Sequence, residues 1–274
     1  MEFFDKYLSL IKKREKIETF KIVNSGLNSF AIIINNEFIF RFPNRDYVID
    51  EYKKEKVILD ELRPIIESVE IPTMQIFNEN GVFYTKHLLI KGENLKTAKN
   101  KIDNKKIAKD LAIFLAELHS LDVVLLQPQE FKTTDYEIYL EYLTKKEIKD
   151  FEDCLNYLNR YDKYPPNDNV MCHNDLHENN ILIHNGRLSG IIDFASAVCR
   201  KRDNDFARLL KFSPKLTLLW IKEYEKITNT KIDFEYIYKL EKFRCYGTLM
   251  YRSKIGQKDI AKYFRDFVVS LNLM

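Results

Sequence analysis

One stretch constrains this chain more than any other: residues 171–196, MCHNDLHENNILIHNGRLSGIIDFAS. Two short apolar runs, residues 181–183 and 188–192, flank His184-Asn185-Gly186-Arg187. Asn-Gly between β-prone runs predicts a two-residue hairpin, because both turn residues tolerate positive φ. With Asn185 and Gly186 as the loop, His184 pairs with Arg187 and Asn180 falls opposite Ile191. Side chains alternate along a strand, so Asn180, Ile191 and Asp193 point one way, with Asn180 and Asp193 as diagonal neighbours at the open end. Asp175 lies five residues before Asn180, on the loop that enters the same end.

Two carboxylates and a carboxamide on one loop suit a hard cation such as Mg²⁺, which takes oxygen ligands and leaves room for phosphate. A further carboxylate can accept or orient the proton of an attacking hydroxyl. Singly, each residue is an ordinary turn former or helix cap. Together, HNDLHENNILI and IIDF, with thirteen residues from Asn180 to Asp193, form the arrangement used for phosphoryl transfer. These residues resemble the catalytic loop and metal-binding Asp of the aminoglycoside phosphotransferase family, relatives of the protein kinases. The resemblance implies that Asp175 is the catalytic base, that Asn180 and Asp193 hold Mg²⁺, and that His173 supports the catalytic loop. Ala195 departs from the pattern, standing where protein kinases carry the Gly of D-F-G, and argues against a flipping activation switch.

Length and composition fit that expectation. A chain of 274 residues is long for one core and suits two lobes. With 45% hydrophobic and 31% charged residues it reads as an ordinary soluble globular protein. No apolar run approaches the ~18 residues needed to span a bilayer. The opening MEFFDKYLSLIKKREK carries an acid early and places Phe3, Phe4, Tyr7, Leu8 and Ile11 on one helical face, unlike a secretory signal. Four scattered cysteines, Cys154, Cys172, Cys199 and Cys245, have no metal-binding spacing and point to a reducing cytoplasm. The net charge of +3 is spread along the chain, which argues against a nucleic-acid partner. A monomer without membrane association is expected.

After the opening helix, residues 19–23, 30–34 and 37–42 read as three antiparallel strands, the last two joined by Asn35-Asn36. The loop 24–29 carries Ser25 and Gly26, which can offer backbone N–H groups to nucleotide phosphates. Arg41, on the third strand, and Glu55, on the helix expected over 47–62, match the kinase pairing of a phosphate-gripping cation with an acid. The family normally has Lys at the first of these positions, and the two cations are not interchangeable. Strands follow at 73–77 and 82–90 across an Asn78-Glu79-Asn80-Gly81 turn, and LLIKG resembles the hinge that reads the nucleobase. By position, the Leu88 carbonyl and the Ile90 amide are the expected contacts. His87 reads as the hinge gatekeeper or as a satisfied core histidine.

Residues 93–104 read as a polar link between lobes. Ile107, Leu111, Phe114, Leu115 and Leu118 mark an amphipathic helix whose His119 ties its end to the catalytic loop. Residues 135–163 are helical in pattern, ended by Pro165-Pro166. Asp203 and Asp205 read as helix caps or as residues that shape the site. Residues 215–274 read as helices.

The resemblance therefore implies an α+β, two-lobed protein-kinase-like fold. Residues 1–91 would form an N-terminal antiparallel-sheet lobe that binds nucleotide and ends in the hinge, and residues 92–274 a mainly helical C-terminal lobe. It is most similar to the aminoglycoside 2''-phosphotransferase branch, with ATP or GTP as donor and a small-molecule alcohol as acceptor. One feature strains the aminoglycoside expectation. Polycations want acidic pockets, yet residues 196–274 hold seventeen Lys/Arg against nine Asp/Glu. A macrolide, choline or a sugar is the alternative acceptor, and a silent nucleotide-binding relative is the alternative to an enzyme.

Overall fold

A computed structural model describes residues 2–23, 29–121, 137–163 and 169–272. In chain order the elements are α1 (Glu2–Ile11), β1 (Phe20–Val23), β2 (Ser29–Ile34), β3 (Phe38–Pro43), α2 (Tyr47–Leu62), β4 (Gln75–Glu79), β5 (Val82–Leu88), β6 (Glu93–Asn94), α3 (Leu95–Ala98), α4 (Asn104–His119) and α5 (Lys145–Lys163). They continue with β7 (Asn169–Cys172), β8 (Ile181–His184), β9 (Arg187–Ile191), β10 (Val198–Lys201), α6 (Asn204–Ala207), α7 (Leu209–Phe212), α8 (Pro214–Thr228), α9 (Phe234–Lys254) and α10 (Lys258–Leu271). Contacts gather the chain into two compact units. One takes Met1–Ile102 with Asn179–Ala197, the other Asp103–Glu178 with Val198–Met274.

The first unit is built on an antiparallel sheet of order β1-β2-β3-β5-β4. Period-two alternation divides its faces. Phe30, Ile32 and Ile34 of β2, Phe40 and Phe42 of β3 and Tyr84 of β5 are buried against Leu10 and Ile11 of α1. Tyr7 of α1 packs edge-on to Phe30 at 4.9 Å, and Phe30 stacks on Phe42 at 5.1 Å. The residues between them, Ala31, Ile39, Arg41 and His87, turn to the opposite face and line a cavity. Register keeps them together: Ala31 pairs with Arg41, Arg41 with Thr85, and Ile39 with His87.

Three tight turns join neighbouring antiparallel strands: β2 to β3, β4 to β5 and β8 to β9. Asn35-Asn36, Asn80-Gly81 and Asn185-Gly186 all have positive φ at both central residues, the I′ geometry that matches strand twist. The turn expected over 78–81 is therefore tighter, with Asn78 and Glu79 paired to Phe83 and Val82. The strand expected to reach Ile90 ends at Leu88. Residues 93–98, read as polar link, instead form β6 and the single turn α3. Asn94 caps that turn through Thr97 N at 2.9 Å, while Leu95 and Ala98 are buried.

The hairpin β8–β9 departs from the expected register by one residue. His184 pairs with Arg187 and Ile183 with Leu188, but Leu182 pairs with Gly190 and Ile181 with Ile191, leaving Ser189 as a β-bulge. Partners remote in sequence hold the bulge. Ser189 Oγ donates to the Lys91 carbonyl at 2.8 Å, and the Ser189 carbonyl accepts from Glu70 N at 3.0 Å. Asn180 consequently lies opposite Ile192, whose amide donates to the Asn180 carbonyl at 3.0 Å. Strand alternation alone no longer aligns Asn180 with Asp193. Asp193 adopts left-handed backbone (φ 70°, ψ 67°) before the 3₁₀ turn Phe194–Ser196, and it lines the same cavity as Asn180. Gly92 permits a close approach here, since a Cβ would fall 2.7 Å from Ser189 Oγ and 2.8 Å from the Ile183 carbonyl.

The second unit is helical, with the ribbon β7–β10 inserted. Helix α4 begins at Asp103, whose carboxylate accepts from Lys105 N and Lys106 N. Its Ile107, Leu111, Phe114, Leu115 and Leu118 are fully buried, as its periodicity predicts. Helix α8 carries Trp220 and Tyr224 into the same interior. Among the described residues, no helix is long and apolar enough to cross a membrane. Ser25, Gly26 and Pro165-Pro166 lie outside the described residues.

Candidate active site

In the first unit, the face carrying Ala31, Ile39, Arg41 and His87 borders a cavity of about 350 Å³. Leu88, Ile90, Gly92, Asn180 and Asp193 also line it. Of the residues singled out in the sequence, the structure thus brings Arg41, Leu88, Ile90, Asn180 and Asp193 to one cavity. The Leu88 amide is already committed to Thr73 Oγ1 at 3.1 Å.

Helix α2 controls Arg41 from two successive turns. Arg41 Nη1 lies 3.2 Å from Glu55 Oε2, and the guanidinium sits 4.6 Å from the Tyr52 ring centre. The other Glu55 oxygen accepts from Phe194 N at 3.2 Å, so this carboxylate joins strand β3 to the turn following Asp193. Burial works against the charged guanidinium, but Glu55, Tyr52 and Asp193 outweigh it and raise the Arg41 pKa. Burial pushes the fully buried Glu55 carboxyl up, against the pull of Arg41 and with the push of Asp193. Glu55 holds the guanidinium directly, and the Asp193 charge acts on it as well. Glu55 and Asp193, together with the nearly buried Asn180 amide, offer oxygen donors that fit a hard divalent cation.

His87 is a satisfied core histidine that also lines the cavity. It is buried, 2.9 Å from Thr85 Oγ1, and burial followed by the Arg41 charge pushes its pKa down to about 3. Ala195 lies within the 3₁₀ turn, where no left-handed backbone calls for glycine.

In the second unit, the loop holding Asp175 is clamped by a single carboxylate. Asp205 accepts from His173 N at 2.9 Å and Asn174 N at 2.7 Å, and approaches His119 Nε2 at 3.2 Å. His119 Nδ1 reaches Tyr224 OH at 2.8 Å, so His119 does tie the end of α4 to the loop, through Asp205. Asp205 therefore holds the loop rather than capping a helix. His173 is fully buried, and its Nδ1 accepts from Asp175 N at 3.3 Å. Asn174, in left-handed backbone, is fastened through its side-chain oxygen by Asn204 Nδ2 at 2.9 Å and Arg244 Nη2 at 2.7 Å. The Asp175 carboxylate is partly exposed, 2.8 Å from Arg208 Nε and 3.7 Å from His177 Nε2.

The buried trio His119, Cys172 and Asp205 has the proximity of a metal site. Its donors are consumed, however: both histidine nitrogens and both Asp205 oxygens already have protein partners, and burial raises the Cys172 thiol pKa far above its usual value. Sequence reading missed Tyr52, Arg208 and Arg244. Tyr52 precedes Glu55 by three residues, so helical spacing was its one available signal. Nothing local marks Arg208 or Arg244.

Comparison with solved structures identifies the architecture as the kinase-like phosphotransferase fold, an antiparallel-sheet unit with a helical one. The GDP and kanamycin complex of APH(2")-IIIa matches with a TM-score of 0.78 at 18% identity, covering 98% of each chain. ADP-bound aminoglycoside phosphotransferase APH(2'')-Ib matches at 0.70 and 21% identity, covering 95% of this chain and 96% of that one. Macrolide 2'-phosphotransferase MphH from Brachybacterium faecium, as apoenzyme, matches at 0.69 and 15% identity, covering 98% of each. At these identities the likeness establishes the fold. The family is established separately: the model of the phosphotransferase enzyme family, APH, matches residues 19–234, and the chain belongs to that family. It is a phosphotransferase.

Proposed function

We propose that this protein transfers the γ-phosphate of ATP or GTP, with Mg²⁺, to a hydroxyl of an aminoglycoside, a modification that confers resistance. The observation that carries this reading is one cavity bordered by Arg41, Asn180 and Asp193, with Arg41 braced by Glu55. The relatives solved with GDP and kanamycin, or with ADP, support the same donor and acceptor classes.

In this reading residues 1–91 serve nucleotide binding and residues 92–274 supply the catalytic loop and acceptor site. Leu88 and Ile90 meet the nucleobase through backbone groups, and Ser25 and Gly26 lie over the phosphates. Arg41 steadies the phosphates, with Glu55 fixing its guanidinium and keeping it from collapsing onto Asp193. Asn180 and Asp193 would hold Mg²⁺, which when bound neutralises phosphate charge. Asp175 orients the acceptor hydroxyl and receives its proton, on a loop supported by His173. Catalysis is then mainly positioning and charge complementarity.

A second acceptor class has its own support. Arg208 lies against Asp175 and Arg244 against the adjoining Asn174, a cationic surrounding that suits a less charged alcohol such as a macrolide. The test is phosphorylation by purified protein with Mg²⁺, ATP or GTP, and kanamycin, gentamicin, a macrolide and choline as acceptors. Asp175→Ala is the blank. Turnover on an aminoglycoside that disappears in the variant supports the proposal. Turnover on the macrolide or choline alone moves the acceptor assignment. Nucleotide binding without turnover on any acceptor, or turnover undiminished in Asp175→Ala, overturns it.

A further inference from the structure

The contact between Arg208 and Asp175 has a second layer behind it, all within the helical unit. Glu241, on α9, is 2% exposed. Among the described residues, its Oε1 receives a long contact from Cys245 Sγ at 3.6 Å and its Oε2 has no hydrogen-bond partner. A buried carboxylate with an unsatisfied oxygen is costly and persists where cations compensate it. Arg208 is the strongest of the cations acting on Glu241, followed by Arg244 and Lys211. Arg244 needs the same counterion: burial first, then the neighbouring Arg208 charge, bring its pKa down to about 10, while Glu241 opposes them. Arg244 in turn holds Asn174, the residue before Asp175, at 2.7 Å. One buried carboxylate therefore lies in the field of two arginines, one contacting Asp175 and the other its neighbour.

We propose that Arg208 is a positioning residue for Asp175, its guanidinium fixing the carboxylate from one side at 2.8 Å. The inference rests on the reading of Asp175 as the carboxylate that orients the acceptor. It assigns Arg208 a role through Asp175 and none in nucleotide binding. The Arg208–Asp175 pair is about one-third and one-quarter exposed at its two side chains, and pairs exposed to this degree contribute little to stability. Its loss is accordingly expected in turnover rather than in melting temperature.

The experiment compares Arg208→Gln, Arg208→Lys and Asp175→Asn in the full chain. The readouts are kcat and KM for the acceptor, nucleotide affinity and Tm, with slow NTP hydrolysis to water as a second turnover measure. Arg208→Gln is expected to lower kcat by roughly 10- to 100-fold, the scale on which loss of orientation acts, with nucleotide affinity and Tm nearly unchanged. Arg208→Lys keeps the charge without the fork and is expected to recover part of that loss. Glu241→Gln should fall between them where it folds, and the two Arg208 variants carry the test where it does not. A kcat for Arg208→Gln within about threefold of wild type, or a loss tracking a lower Tm and unrelieved by Lys, overturns the proposal. If Asp175→Asn itself retains turnover, the parent reading of Asp175 fails instead.

Discussion

His87 offers a prediction whose size follows from its surroundings. It is 5% exposed, bonded to Thr85 and close to the Arg41 charge, and its pKa is pushed down to about 3 from the usual value near 6.5. The folded state holds this proton less tightly than the unfolded state. Above about pH 7 both states are neutral at this residue and its full contribution is present. As pH falls below about 6.5 the unfolded chain takes up the proton first, so stability is lost progressively until the folded pKa is reached. By about pH 5 roughly 1.5 pH units of that window have been crossed, which at about 1.4 kcal/mol per unit costs about 2 kcal/mol. The assay is urea unfolding of wild type and His87→Gln near pH 8, 6 and 5. The wild-type advantage over the variant should shrink by about 2 kcal/mol between the extremes. A difference flat to within about 0.5 kcal/mol would refute the reasoning, because it would mean that folded His87 protonates as readily as a solvated histidine.

Three further outcomes follow from the same geometry. Glu55→Ala removes the direct 3.2 Å partner of the Arg41 guanidinium and the acceptor of Phe194 N, and should cost about 3 kcal/mol in chemical denaturation; a loss below about 1 kcal/mol would contradict the bracing role. Asp205→Ala removes the acceptor for two loop amides and a histidine, so it should lower stability by about 3 kcal/mol and accelerate amide exchange at residues 173–175, and unchanged exchange there would count against the clamp. Gly92→Ala drives a methyl into Ser189 Oγ and the Ile183 carbonyl at a positive φ, and should destabilise by about 2 kcal/mol as read by Tm; Gly186→Ala, with open space around it, should cost less.

The parts legible in the sequence were those set by local rules. Asn35-Asn36 and Asn185-Gly186 announce turns because few other residues accept positive φ twice in succession, the turn over 78–81 was placed but read two residues too long, and the alternation in β2 and β3 separates core from cavity without reference to the rest of the chain. The Arg41–Glu55 contact was reachable through the resemblance, since Glu51 and Glu55 share one helix face and matching the helix to the family favours Glu55. What escaped depended on distant partners. The bulge at Ser189 is held by Lys91 and Glu70, neither of which marks the hairpin, and it displaces Asn180 by one register position. Asp193 takes left-handed backbone, a conformation its residue type allows but does not announce. Whether Asp205 caps a helix or shapes the site stayed open in the sequence, because the amides it binds lie about thirty residues earlier in the chain.

The proposed Mg²⁺-dependent phosphoryl transfer at the cavity bordered by Arg41 rests on Asn180 and Asp193. Its most direct test is the rate of transfer from γ-labelled ATP or GTP as Mg²⁺ is raised, for wild type and Asp193→Asn. The account predicts transfer that rises with Mg²⁺ in wild type and falls by roughly a thousandfold in the variant, whose fold persists. Transfer in Asp193→Asn at the wild-type rate and with the same Mg²⁺ dependence would contradict it.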